Sequence, residues 1–266
     1  YIQKQFQNKY GAGSNGLFET HWDLNNEEIP VYDPDQASYY SSWGPPMDGQ
    51  DIVDWDGQAK QFLPQPDNYN DYFQIGSTWN NSVSIESGFN EKLIRFTASD
   101  LRNTDIIPGA ENRRTNLGLN LSMKLFKTLN FNSYVSYINQ RSDNRPGLSD
   151  SHTNVARNYI MMPRHISLES LENRIFDEDR NETTWFSSWN WMTNPFWNEL
   201  YELSFDQKNR IFGNASLQYS FTDNLNVLIR TSADHGKIHY EEIGASFGMI
   251  HPAGFFSERE IKSTIV

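Results

Sequence analysis

Six histidines, thirty-four carboxylates and eight tryptophans are the side chains best suited to chemistry, and their spacing decides what they can do. His235 and His239 form the sole i, i+4 histidine pair. That spacing grips a metal on a helix, but here it falls at or beyond the end of an expected strand. His21, His152, His165 and His251 stand apart in sequence. Asp48, Asp51, Asp54 and Asp56 are spaced D-x-x-D-x-x-D-x-D, without the ligand order of a calcium loop. They, and the run Asp177, Glu178 and Asp179, read as solvated loop charge. Paired carboxylates could hydrolyse a glycosidic bond, but that needs a fixed separation which spacing alone does not supply. G-x-S-x-G, P-loop and dinucleotide fingerprints are absent from the sequence. The chain therefore reads as non-enzymatic, with no cofactor and no metal site expected.

Aromatic residues offer a different chemistry. Trp185, Trp189, Trp191 and Trp197, half of the eight tryptophans, crowd into TTWFSSWNWMTNPFW. Exposed, they would form a platform for stacking sugars or docking a partner protein. Alternatively they pack the core of their own loop, or belong to an aromatic girdle.

The elements that must position these residues are strands. In NLGLNLSMKL, Leu117, Leu119, Leu121, Met123 and Leu125 alternate with Asn116, Gly118, Asn120, Ser122 and Lys124. A period of two over ten residues is a strand long enough to cross a bilayer. Over 211–221, Ile211, Ala215, Leu217, Tyr219 and Phe221 oppose Asn214, Ser216, Gln218 and Ser220, with Phe212 out of phase. Weaker alternation marks strands at Val83–Ile85, Ile94–Ala98, Phe131–Tyr137 (blurred by Tyr134 and Ile138) and Leu225–Ile229, with a seventh expected near the start. Tight turns are expected around Phe89–Glu91, Lys127–Thr128 and Thr222–Asn224, and long loops over roughly 41–74, 100–113 and 141–207. Short and long connections so alternate, as in outer-membrane barrels.

Composition agrees with this plan. The mean hydropathy of −0.71 does not exclude such a barrel, because only alternate residues meet lipid. No run of eighteen apolar residues exists to form a membrane helix. The net charge of −12 speaks against a nucleic-acid surface, and the absence of cysteine removes disulfides and thiolate metal sites. The fold class expected is all-β, an antiparallel transmembrane β-barrel segment of six or seven strands with long extracellular loops. Six or seven strands cannot close a transmembrane barrel, so further strands are expected outside this chain. The first residue is Tyr1 rather than Met, which leads to the expectation of a mature product or a fragment. Asn120, Ser122, Lys124, Asn214, Ser216, Gln218 and Arg230 would face the lumen. A secreted β-sandwich that binds glycans through its tryptophans is the alternative.

Several motifs add a resemblance. Ser42–Gln50, SWGPPMDGQ, resembles the SWGP-x-x-DGQ signature of the SusC/RagA-type TonB-dependent outer-membrane transporters of Bacteroidetes. Pro64–Gly88 resembles the P-x-P-x-N-x-x-x-F-F-x-x-G segment leading into an N-S-V-S-I strand, with Tyr72 in place of the first Phe. Ile106–Leu125, the MMPR of Met161–Arg164, the NPFW of Asn194–Trp197 and Lys208–Asn224 follow in the family's order. The resemblance implies a bacterial outer-membrane location and a 22-stranded barrel, of which residues 1–266 carry the early portion, without the plug domain or the remaining strands. It also implies a SusD-like surface lipoprotein, TonB and outer-membrane lipid as partners, and import of oligosaccharides or peptides. The family's usual aromatic carboxyl terminus is missing from the closing KSTIV.

Overall fold

A computed structural model describes residues 6–18, 22–24, 28–33, 42–183 and 192–266. Along the chain run β1 (Trp22–Leu24), β2 (Pro30–Tyr32), β3 (Asp51–Val53), β4 (Ala59–Gln61) and α1 (Asn68–Tyr72). They are followed by β5 (Ser77–Phe89), β6 (Lys92–Thr104), β7 (Glu111–Phe126) and β8 (Leu129–Asp143). Next come α2 (Val155–Met161), α3 (Leu168–Asn173), α4 (Pro195–Tyr201), β9 (Glu202–Thr222), β10 (Leu225–Ser246) and β11 (Ala253–Ile265). The first four strands make a small sheet in the order β1-β2-β3-β4. The last seven make a large sheet in the order β11-β10-β9-β8-β7-β6-β5. The chain is thus mostly β, and each neighbouring pair from β5 to β9 is antiparallel.

Alternation dictates the large sheet's two faces, and register aligns them across strands. One row joins Ile85, Phe96, Leu119, Val135 and Gly213; the next joins Val83, Ala98, Leu117, Tyr137 and Ile211. Toward the hairpin turns lies the row Phe89, Lys92, Met123, Phe131 and Leu217. These side chains form an apolar face that the described residues leave open: Ile85 is 63 % exposed, and Phe96, Val135, Ile211 and Leu217 are exposed as well. Water does not favour such a surface, since each apolar Å² left exposed forgoes about 25 cal/mol.

The apolar band has a definite end. Beyond Val83 and Ala98 the same face carries the rows Asn81, Asp100, Thr115, Asn139, Asn209 and Trp79, Arg102, Arg113, Arg141, Gln207. There the charges pair along their own strands, Arg102 with Asp100 at 2.9 Å and Arg141 with Asp143 at 2.8 Å. The strands therefore continue past the apolar band into a polar belt. This corrects the expected long loop at 100–113: its flanks are strand, and the connection itself is 105–110. Period-two reading stopped at Ser99 because beyond it Asp100 and Arg102 take the apolar parity and Leu101 the polar one.

The seventh strand of the large sheet is β11; the strands near the start, β1 and β2, belong to the small sheet. Its sequence hides it, because Arg259 and Ser263 share the parity of Ile261 and Ile265. It is hydrogen-bonded to β10, and Glu260 lies 2.5 Å from Lys237 of β10 and 2.6 Å from Lys262 of its own strand. The tight turns stand as expected at Asn90–Glu91, Lys127–Thr128 and Asp223–Asn224.

The chain folds as two compact units. One comprises 75–145, 204–242 and 257–266 and holds the band just described. The other comprises 1–74, 146–203 and 243–256. Its core includes Met47, Ile52, Trp55, Phe62, Tyr72, Tyr159, Met162, Ile166 and Leu171. The region expected as one long loop over 141–207 thus contains helices with buried sides. Those helices are short, so each leans on a side-chain cap: Asn154 accepts the Arg157 N–H, Ser167 that of Ser170, and Asn194 that of Phe196. The SWGPPMDGQ segment is bonded to residues 9–16: Gly44 donates its N–H to Gly11 O at 3.1 Å and Met47 to Lys9 O at 2.9 Å. A methyl group at Gly44 would overlap the Ala12 carbonyl, which is why glycine stands there.

Candidate functional site

The residues expected to face a lumen fall into three cross-strand rows of the sheet's polar face. Asn120 and Asn214 flank Tyr134, Ser122 and Ser216 flank Asn132, and Lys124 and Gln218 flank Asn130. Ser122 donates its hydroxyl to Asn132 Oδ1 at 2.8 Å, which confirms a shared side. Arg230 has the same parity on β10 as Asp234, whose carboxylate receives Arg210 Nε of β9 at 2.8 Å, so Arg230 shares that face. Exposure varies along it: Ser122, Asn214 and Arg230 are exposed, Asn120, Lys124 and Gln218 half-buried, and Ser216 buried.

Tyr134, Ile138 and Phe212, which blurred the alternation, lie on this polar face, where Tyr134 and Phe212 pair with each other. Tyr134 and Phe212 meet edge to face with centroids 5.9 Å apart, and the Arg210 guanidinium sits 4.8 Å from the Phe212 centroid. Gly118 leaves room beneath the Tyr134 ring, whose Cε2 lies 3.7 Å from where a Cβ would stand. An aromatic ring over a strand glycine covers backbone that would otherwise be bare.

Of the four clustered tryptophans, Trp185, Trp189 and Trp191 lie outside the described residues. Trp197 is described, and it is 1 % exposed. Its indole packs on Tyr201, with centroids 4.6 Å apart, and on Phe176 at 5.7 Å. Buried this way, Trp197 offers no stacking face to solvent and belongs to the core around α4. A cleft of about 430 Å³ opens beside this cluster, lined by Phe176, Asp179, Arg180, Tyr201 and Phe247 and by an edge of Trp197. Aromatic walls with an acid and a base at the side suit a polar ligand with an apolar face.

The reading of Asp54 and Asp56 as solvated loop charge is corrected. Both are buried, with Lys60 Nζ 3.2 Å from Asp54 and 2.6 Å from Asp56. His165 Nε2 lies 3.3 Å from the other oxygen of Asp54. Burial pushes the Asp54 carboxyl up, but His165, Lys60 and the Trp55 N–H together hold it below its ordinary value. Spacing carries no sign of this, because His165 is far along the chain. Asp48 and Asp51 are exposed, as expected.

Glu182 is a buried carboxylate that sequence reasoning did not single out. It accepts the Asn194 N–H at 3.1 Å and the Met249 N–H at 2.8 Å, while its own N–H donates to Phe247 O at 2.8 Å. Burial raises its carboxyl to about 7, against the pull of those two N–H groups. It clasps the β10–β11 connection.

His235 and His239 both lie inside β10, four residues apart on one face and so about 13 Å from each other. They cannot share a metal. The structure instead gathers His152, Glu202 and His251, whose ligand atoms lie within 4.8 Å of one another. With some fifty residues between successive members, no spacing signal could reveal the group. No protein-family model and no curated protein matches the chain.

Proposed function

We propose that this chain is a panel in the wall of an outer-membrane β-barrel of the SusC/RagA type. Together with a SusD-like lipoprotein and TonB, that barrel would import oligosaccharides or peptides. One observation carries the reading: a seven-stranded antiparallel sheet presents a continuous exposed apolar band on one face, bounded by a charged belt. From Trp79 to Phe89 the outer strand β5 advances ten residues, roughly 33 Å. Tilted by about 40°, as barrel strands are, it would rise about 25 Å, the height of a barrel's lipid-facing band. Trp79 at the charged end, and Phe89, Tyr219 and Phe221 near the turns, fit the aromatic girdles of such a band. The opposite, polar face would then line the interior.

The order of the sheet leaves β5 and β11 as its ends. In lipid, their unpaired N–H and C=O groups need further strands, which accords with a larger barrel. The ordered motifs from SWGPPMDGQ onward supply the family. Transport would proceed by lid opening of the lipoprotein over the loops followed by TonB-driven displacement of the plug, with no reaction chemistry assigned to this chain.

The test is where the chain resides and what keeps it soluble. In the cells that produce it, the polypeptide carrying this chain should fractionate with the outer membrane, resist alkaline carbonate and need detergent to remain dispersed. A folded, monodisperse chain in plain buffer would overturn the proposal and favour a secreted sandwich.

A further inference from the structure

We propose that His152, Glu202 and His251 form a zinc-binding site that ties together three distant segments of the chain. Two imidazole nitrogens and one carboxylate oxygen are the donor set of a borderline divalent ion such as Zn²⁺. Calcium and magnesium would ask for more oxygens than one carboxylate supplies. All three residues lie in the unit that contains the helices, so this inference stands apart from the membrane reading.

The geometry is close to that of a chelate. His152 Nε2 and Glu202 Oε2 are 4.0 Å apart, too far for a hydrogen bond. Around a tetrahedral ion with bonds of about 2.0–2.1 Å, ligand atoms would stand about 3.4 Å from one another. Small side-chain rotations close that difference. The two rings meet edge to face, with centroids 5.6 Å apart.

Burial gives the second, independent argument. The Glu202 side chain is 4 % exposed, yet its Oε1 has no hydrogen-bond partner, and His152 Nε2 is likewise buried without one. An acidic group taken from water without compensation is costly, and native structures rarely tolerate it. A divalent cation between these atoms would satisfy both.

The surroundings hold each ligand in place, as working metal sites require. The His152 carbonyl accepts Asn158 Nδ2 at 2.8 Å and Thr193 Oγ1 at 3.2 Å. Glu202 ends α4, its N–H donating to Asn198 O. Gly244 leaves space beside it, since a Cβ there would come within 3.1 Å of Glu202 Oε2. The His251 ring rests on Phe255, with centroids 4.3 Å apart, and its carbonyl accepts the Gly254 N–H at 2.8 Å. By contrast, His239 directs Nε2 to Glu241 at 2.6 Å and Nδ1 toward Glu258 at 3.7 Å. Its two nitrogens diverge, so this second His–Glu cluster does not chelate. A bound ion would join the segment before α2, the start of β9 and the β10–β11 connection.

The test titrates the full chain, free of any affinity tag and stripped with a chelator, with Zn²⁺ alone by calorimetry, and records the visible spectrum with Co²⁺. One ion per chain, a raised melting midpoint and the d–d bands of tetrahedral Co²⁺ are expected. His251→Asn and Glu202→Gln should each weaken binding about tenfold or more and remove those bands, whereas His239→Ala should change neither. His251→Asn alters a side chain in a connection and keeps its far-ultraviolet circular dichroism, so its loss of binding would report the ligand. Absence of saturable binding by the unaltered chain, or unchanged affinity in His251→Asn and Glu202→Gln, would overturn the proposal.

Discussion

Asp54 shows how a single carboxylate can organise a small core. Its two oxygens face Lys60 and His165, and its neighbours Trp55 and Phe62 are buried around it. Removing the charge leaves the buried His165 without its acid and Lys60 with Asp56 alone, so Asp54→Asn should cost about 3 kcal/mol in urea unfolding. The pH dependence follows from the direction of its shift. Because the folded carboxyl lies below its unfolded value near 3.8, its contribution is present above that value and lost as pH falls through the folded one. The unaltered chain should therefore lose stability steeply below about pH 4, and Asp54→Asn should flatten that branch. An equal acid slope in both proteins would contradict the pairing.

At the scale of elements, the hairpin turns set the register on which the apolar face depends. Asn90 and Glu91 both have positive φ, 49° and 58°, the signature of a type I′ turn between β5 and β6. Glu91 is an awkward residue for that conformation, and its contribution is an exposed pair with Lys124 at 3.3 Å. A pair so exposed contributes little. Glu91→Gly should thus raise the unfolding midpoint, by about 0.5–1 kcal/mol, and Glu91→Val should lower it, since a β-branched residue resists positive φ. The Lys124 N–H bond to the Glu91 carbonyl, at 3.0 Å, is kept in both variants. If both substitutions moved stability the same way, the turn assignment would be wrong.

For the molecule as a whole, the contrast between the two faces of the sheet is the property to probe. Leu119 stands in the middle of the apolar band between Phe96 and Val135, and Asn120 is its neighbour on the other face. On the membrane reading, Leu119→Arg places a charge in lipid and should cost about 2–4 kcal/mol. Recovery of the folded polypeptide that carries this chain from the outer membrane would then fall sharply. Asn120→Arg faces the interior, and its recovery should match that of the unaltered chain. Equal sensitivity at both positions would instead indicate a sheet covered on both sides by protein.

Much of the sheet was legible in the residues themselves. Strict alternation in β7 and β9 fixed which side chains share a face, because a strand's period of two leaves no other arrangement once one face is apolar. The two-residue turns were legible for the same reason, as brief breaks in that period. Alternation failed where charge pairs replaced apolar contacts, at the distal ends of β6 and β7 and throughout β11, since an ion pair such as Lys237–Glu260 leaves no periodic trace. Burial of Asp54 and Asp56, of Trp197 and of Glu182 was not legible either. Whether an acid is solvated or enclosed depends on what arrives from elsewhere in the chain, as His165 does at Asp54. The gathering of His152, Glu202 and His251 is the clearest instance. Their identities are written in the sequence, but their meeting needs α4 to end at Glu202 and the β10–β11 connection to be clasped by Glu182, and only the folded chain brings those constraints together.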